Sequence, residues 1–257
     1  MTRLEVQIAT HGADGLTPVL NRRYPAVDDV LYRVGWQGGR SCDVSDNMIV
    51  DGNTARSLTE NRNRLLDRSD AEIILFSDND ISYTSEQILN LIECFENNPD
   101  IEFICFKLDR DDKNYPLEMF DVAEPQRGYF PSSCEIAVRK SFIDKHNIRF
   151  DTRFGLGARY VCFEEMVFVN SLLKKGARGV YMPVVIGRHE SRFSTGTRLE
   201  LKHKVDIARG AAYALILPVS APLYLAVQAI RSCSLSHLID GLKGYFNVLF
   251  RPNQRDI

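Results

Sequence analysis

The sequence has 257 residues, of which 44% are hydrophobic, and it carries a formal net charge of -2. This content provides for a substantial core and argues against a largely disordered chain, and the charge gives no basic footprint for nucleic acid. The six cysteines show no CxxC spacing, which argues against a zinc site or a disulfide framework, and the N-terminal residues lack the apolar region of a signal peptide. We therefore expect a cytoplasmic protein with reduced cysteines.

Short apolar segments alternate with helical patterns over the first two thirds of the chain. Strands are predicted at residues 4–9, 30–34, 48–50, 72–77 and 101–108, and a polar helix at 54–70. Thr84 and Gln87 form a capping box before a helix whose apolar residues recur at helical spacing. The alternation predicts an α/β fold with a mostly parallel sheet flanked by helices, in which ligands bind at the carboxyl ends of the strands.

The next segments continue this alternation. "SSCEIAVRKSFI" predicts a strand that leads into a helix, and "ARGVYMPVVIGRHE" predicts a further strand. Between them, "FEEMVFVNSLLKKG" predicts a helix in which Met166, Val169 and Leu173 face inward and which ends at Gly176.

The C-terminal region has a different composition. Residues 211–230 contain no charged side chain, a length that could span a bilayer, but Pro218 and Pro222 interrupt it, and an amphipathic segment follows. The pattern favours a broken hairpin of helices that lies on a membrane surface, and it leaves open helices packed on the protein's own core or a true span. We predict a catalytic domain at 1–200 and C-terminal, membrane-associating helices at 201–257.

Two carboxylates, Asp78 and Asp80, directly follow the strand at 72–77. At a strand end that enters a turn, both can approach one point, where Mg²⁺ or Mn²⁺ takes oxygen ligands and bridges substrate phosphates. The same pair is also common in turns without any ligand.

Three motifs in chain order resemble the family-2 glycosyltransferases of GT-A fold: "RNRLLDRSDAEIILFSDNDI", "FDTRFGLGARYVCFEEMVFVNSLLKKG" and "HESRFSTG". The resemblance covers roughly residues 1 to 200 and implies a Rossmann-like GT-A domain with a C-terminal helical appendage. It places a DxD-type motif at Asp78, Asn79 and Asp80, with Asp80 as the principal metal ligand and Asp78 near the ribose or the sugar. It also implies that His189 contacts the metal or the diphosphate.

The resemblance further implies an acidic pair beneath the acceptor, matched here by Glu164 and Glu165, with Glu in place of the customary Asp. Because attack by a sugar hydroxyl on an anomeric carbon needs a carboxylate to take the proton, Glu165 is the expected base, and Glu164 is expected to orient the acceptor or to hold the loop. Acids in the first turn of a helix also complement the helix dipole without any catalytic role.

For the donor, the resemblance implies contacts from Thr10 and Gln37 at strand ends, from Arg62 with the diphosphate, and from Arg192 in a loop that closes over it. Arg62 and Arg192 are equally compatible with a solvated helix and a solvated loop.

These expectations describe an inverting, metal-dependent glycosyltransferase that uses Mn²⁺ or Mg²⁺ and a nucleotide-diphosphate sugar, with a UDP-sugar favoured. The implied acceptor is a glycan or a polyprenyl-diphosphate-linked oligosaccharide of bacterial polysaccharide synthesis, met at the inner face of the cell membrane. The alternatives are a nucleotidyltransferase, against which the lysine-free "THGADGL" counts, and a catalytically silent binding module.

Overall fold

A computed structural model describes residues 2–124, 129–190 and 199–250 of the chain. The described residues form two compact units. The first comprises residues 2–56, 60–124, 129–149 and 171–190, and the second comprises 57–59, 150–170 and 199–250. The predicted functional division at residue 200 stays a prediction, since by packing residues 150–170 belong with the C-terminal helices.

The first unit is built on a mixed sheet. Its ten described strands are β1 (Leu4–His11), β2 (Val30–Gln37), β3 (Cys42–Ser45), β4 (Met48–Asn53), β5 (Ile73–Asp78), β6 (Ile81–Ser82), β7 (Phe103–Asp109), β8 (Phe120–Asp121), β9 (Ile136–Arg139) and β10 (Gly179–His189). Nine of them follow the order β3-β4-β2-β1-β5-β9-β7-β10-β6, and β8 pairs with β10.

The longest strand pairings are parallel. β4, β2, β1 and β5 run side by side in one direction, as do β7 and β10, while β9 is antiparallel between β5 and β7. β1 is buried along seven of its eight residues, as expected of a strand with sheet on both sides and helices over its faces. The predicted α/β fold with a mostly parallel sheet is confirmed.

Helices of the first unit flank its sheet, and further helices belong to the second unit. In chain order, the helices are α1 (Gly12–Asn21), α2 (Leu58–Arg68), α3 (Ser85–Glu96), α4 (Lys140–Lys145), α5 (Glu164–Lys174), α6 (Lys202–Ile216), α7 (Ala221–Arg231) and α8 (Leu235–Phe250). The predicted capping box of α3 is present, with the Thr84 hydroxyl accepting from the Gln87 backbone and the Gln87 side chain accepting from the Thr84 backbone. Its buried face is the predicted one: Ile88, Leu91, Ile92 and Phe95.

The inward face of α5 differs from the prediction. Val167, Phe168 and Leu172 are buried together with the predicted Val169, whereas Met166 and Leu173 are only half-buried. The difference is a rotation of the buried face by about one residue, which a short apolar helix with few polar markers does not specify.

The second unit packs α6 against α8. The two helices approach so closely that a Cβ on Gly210 would lie 1.7 Å from the Gly241 carbonyl oxygen, so only glycine fits there. Alanines of α6 share a core with Phe154, Tyr160 and Val167. α6 ends at Ile216, before Pro218, and Pro222 lies in the first turn of α7, so the prolines do break the uncharged segment. In the described part of the chain, no helix has the length and apolar content needed to cross a bilayer.

Candidate functional site

The carboxyl ends of the parallel strands meet at one edge of the first unit. In the register of the sheet, Ala9 lies opposite Asp78, and His11 at the end of β1 lies opposite Gln37 at the end of β2. This arrangement brings together Thr10, Gln37 and Asp78, three of the residues predicted to contact a donor.

A short strand brings His189 to the same edge. β6, only two residues long, follows the Asn79–Asp80 turn and pairs antiparallel with the end of β10, so that Ile81 lies opposite His189. The Glu190 backbone N–H donates to the Asp80 carbonyl at 2.9 Å. As a result, the His189 Nε2 and Asp80 Oδ2 atoms lie 3.6 Å apart, although 109 positions separate them in sequence.

The Asp80 carboxylate is a candidate cation ligand. Its Oδ1 atom is enclosed by protein and accepts no hydrogen bond from any residue that the structure describes. Burial, followed by the negative charge of Asp78, raises the pKa of the Asp80 carboxyl above its usual range, and the nearby His189 lowers it. A divalent ion would satisfy this oxygen and offset both effects, so Asp80 and His189 fit a metal site. Among the described residues, however, no three His, Cys, Asp or Glu side chains form a metal-binding cluster.

Asp78 is turned toward a buried arginine. The Arg62 Nη2 atom donates to Asp78 Oδ1 and to Ser133 Oγ, both at 2.8 Å, and the Arg62 side chain is only 1% exposed. Asp78 itself is 37% exposed. This geometry suits an arginine that positions Asp78, and the predicted contact of Arg62 with a diphosphate stays a prediction.

Thr10 and Asn79 form one hydrogen-bonded pair. The Asn79 Nδ2 atom donates to Thr10 Oγ1 at 3.1 Å and to the Gly15 carbonyl at 3.2 Å. A Cβ on Gly15 would lie 2.4 Å from Thr10 Oγ1, so glycine is needed for α1 to approach. Gln37 is buried and its amide donates to the Ala55 carbonyl at 3.0 Å.

Arg22 is a residue of this edge that the sequence did not single out. Its Nη1 atom donates to the Asn79 carbonyl and its Nη2 atom to Glu190 Oε2, each at 2.6 Å. Arg22 therefore connects the turn after β5 to the segment after β10. Its two partners, Asn79 and Glu190, are the sequence neighbours of Asp80 and His189. Arg22 follows α1, a helix that contains Pro18, and no motif or periodicity marks it.

A polar cleft of about 860 Å³ opens beside His189 in the first unit. Its lining is Ser82, Asp109, Arg110, Asp111, Asp112, Arg188, His189 and Glu190. The Arg110 guanidinium forks onto Asp112 at 2.6 and 2.7 Å, and these hydrogen bonds lower the pKa of the Asp112 carboxyl.

Glu164 and Glu165 lie in the second unit, at the start of α5. The residue before them, Phe163, has a φ of +74°, a strained conformation for a bulky residue, and the Arg209 guanidinium lies 5.7 Å from its ring centre. Glu164 is buried and Glu165 half-buried. Burial first, and then the charges of Glu165 and Glu164, raise the pKa of the neighbouring Cys162 thiol. Glu165 is the more exposed of the two acids, and its role as a base stays a prediction. Arg192, the last predicted site residue, lies outside the described residues.

No family model matches the sequence, and no curated protein matches it significantly. Solved structures do match. TarS 1-349 of S. aureus aligns over 99% of this chain and 93% of its own length, with 12% identity and a TM-score of 0.59. The mannosyltransferase PcManGT of Pyrobaculum calidifontis, solved with GDP-Man and Mn²⁺, aligns over 97% of this chain and 81% of its own, with 13% identity and a TM-score of 0.55.

The chain has the GT-A fold. TarS and PcManGT are both GT-A glycosyltransferases, and TarS 1-349 has also been solved with UDP and with UDP-GlcNAc. Against a longer TarS chain, this protein spans 55% of the length. The fold expected from the sequence motifs is thereby confirmed, while the roles of individual site residues stay predictions.

Proposed function

We propose that this GT-A protein is an inverting, metal-dependent glycosyltransferase that moves a sugar from a nucleotide-diphosphate donor, with a UDP-sugar favoured, to a glycan or lipid-linked acceptor. The observation that carries the proposal is the buried, unsatisfied Oδ1 of Asp80 beside His189, at the carboxyl ends of the strands. Structural neighbours solved with UDP-GlcNAc and with GDP-Man and Mn²⁺ support it.

Asp80 and His189 would hold Mn²⁺ or Mg²⁺. Asp78 would lie beside them, positioned by its hydrogen bond from Arg62. A bound divalent ion supplies neutralising charge for the departing nucleoside diphosphate. Arg22 fixes the turn that carries Asp80, and the Thr10–Asn79 pair and Gln37 order the adjacent strand ends for the donor. A contact of Arg192 with the diphosphate stays a prediction.

In the reaction, the acceptor hydroxyl oxygen forms a bond to the anomeric carbon while the bond from that carbon to the diphosphate oxygen breaks. The leaving diphosphate keeps the electron pair of the broken bond, and the acceptor proton passes to Glu165. One displacement inverts the configuration at the anomeric carbon. Glu164, which is buried, would orient the acceptor or hold the loop.

The test is the release of nucleoside diphosphate from UDP-sugars and GDP-sugars, with and without Mn²⁺. We expect slow, metal-dependent release by the wild type, a loss of about 10²–10³-fold in Asp80→Asn, and no change in Asp28→Asn, which alters an exposed acid of the same unit. A rate of nucleoside diphosphate release that depends neither on Mn²⁺ nor on Asp80 would contradict the metal role. A silent module would hydrolyse no donor, and a nucleotidyltransferase would instead release inorganic diphosphate from a nucleoside triphosphate supplied with a sugar phosphate.

A further inference from the structure

α7 buries small residues and exposes large apolar ones. Ala221, Leu225 and Ala229 face the interior of the second unit. The opposite face carries Leu223, Tyr224, Val227 and Ile230 at helical spacing, and Leu223 and Ile230 are 67% and 75% exposed. A helix of a soluble protein normally turns its large apolar side chains inward, so this face has the polarity of a helix with an apolar neighbour.

α8 shows the same inversion. Its inner face, which contains Gly241 and Gly244, packs against backbone of α6: a Cβ on Gly244 would lie 1.8 Å from the Ile207 carbonyl oxygen. Its outer face carries the large residues, which are Leu235, Ile239, Phe246, Leu249 and Phe250. The glycines thus allow α8 to pack closely against α6, while the large aromatic and aliphatic side chains of α8 remain exposed.

The charge of these helices has one sign at the surface. α6, α7 and α8 contain five lysines and arginines and two acids, although the whole chain has a net charge of -2. Both acids are buried and paired within the unit: Asp206 with Arg209 and His237, and Asp240 with His203 and Lys243. The exposed charged side chains of the three helices are therefore all basic. One of them is Arg231, at the end of the apolar face of α7.

We propose that the outer faces of α7 and α8 lie on the surface of an anionic lipid bilayer. Buried apolar area would supply part of the affinity, and exposed lysines and arginines would bind acidic headgroups, each with an effect of about fivefold on the dissociation constant. A second copy of the chain is a poorer occupant, because the exposed lysines and arginines of these helices have no exposed acid among the same helices to pair with across a two-fold interface. The proposal does not depend on catalysis, since lipid binding requires neither donor nor acceptor.

The test is sedimentation of the 257-residue protein with vesicles of phosphatidylcholine containing about one third phosphatidylglycerol, compared with vesicles of phosphatidylcholine alone. The double variant Ile230→Glu with Phe246→Glu should bind at least about tenfold more weakly, because it places carboxylates in both apolar faces. Arg231→Gln should bind about fivefold more weakly, and more salt should reduce the difference between it and the wild type.

The matched control is Leu117→Glu with Met119→Glu, which places two carboxylates on exposed apolar residues of the first unit and should leave vesicle binding unchanged. Circular dichroism should show wild-type helix content in all variants, since every substituted side chain is exposed. Equal binding by the wild type and the Ile230/Phe246 variant would overturn the proposal. So would equal binding to both kinds of vesicle, or a lipid-free dimer, measured by light scattering, that the same variant dissociates.

Discussion

In the first unit, buried charges converge on the ends of the strands, where Arg22 and Arg62 hold the turn from Asp78 to Asp80. In the second unit, the buried carboxylates Asp206 of α6 and Asp240 of α8 each pair with a base on their own helix and each contact a histidine of the facing helix, His237 and His203 respectively. Both units thus bury ionised groups in pairs, as the cost of desolvation requires. They differ in what is left at the surface.

The first unit leaves polar groups of both signs around a cleft, while the second leaves large apolar groups bordered by positive charge. Under the two proposals above, the first unit would bind the polar donor and the second unit would bind a lipid surface. Glu165 is the group that complicates this division, because it lies in the second unit and is proposed to take part in chemistry.

The largest expected effect therefore concerns Glu165→Gln. If the second unit supplies the base, kcat should fall by about 10²–10⁴-fold while the dissociation constant for the donor stays unchanged, because the amide keeps the shape but cannot accept the proton. Steady-state kinetics with the acceptor, together with donor titration by calorimetry, measure the two quantities. Glu93→Gln, at an exposed position of α3, is the matched control. An unchanged kcat would restrict the second unit to binding.

A smaller effect is expected from Arg62→Met, which tests whether the buried arginine of the first unit serves the structure of the site. The change leaves the Asp78 carboxylate without its partner, and because Asp78 is 37% exposed, water replaces part of the lost interaction. We expect the free energy of unfolding to fall by about 2–3 kcal/mol, measured by urea titration. Arg64→Met, an exposed arginine two positions along the same helix, should change it by less than about 0.5 kcal/mol. Equal losses in the two variants would contradict a specific role for the Arg62–Asp78 pair.

Much of the fold was predictable because its signals are local. The capping box at Thr84 and the apolar spacing after it predict α3, and Pro218 and Pro222 predict the break between α6 and α7. α1 was missed because Gly12, Gly15 and Pro18 are poor helix formers, and tertiary contacts override that preference. β3 was missed as well, because it is an exposed four-residue edge strand with no apolar alternation.

The candidate site was predictable only where a residue terminates a recognisable strand. Asp78 is the last residue of β5 and Asp80 lies two positions beyond it, whereas the approach of Asp80 to His189 depends on β6, a two-residue strand paired with β10. No periodicity can be measured over two residues, so the sequence motifs could suggest the pair only through resemblance. Arg22 reaches the site from a loop, by contacts to a backbone carbonyl and to Glu190 that leave no pattern in the sequence.

The smallest effect concerns the paired acids of the second unit and their dependence on pH. Burial acts to raise the pKa of Asp240, but hydrogen bonds from His203 and Lys243 outweigh it and hold the pKa below its usual range. A lowered folded-state pKa means that the contribution of Asp240 to stability is complete above the unfolded value of about 3.9 and is lost as the pH falls through the folded value. Asp240→Asn should therefore be less stable than the wild type near neutral pH, and the difference in melting temperature should shrink below about pH 4. Asp28→Asn, an exposed acid of the first unit, should show a difference near zero at every pH. A constant difference for Asp240→Asn would mean that the aspartate contributes through packing alone, and that its charge does not help to hold α6 and α8 together.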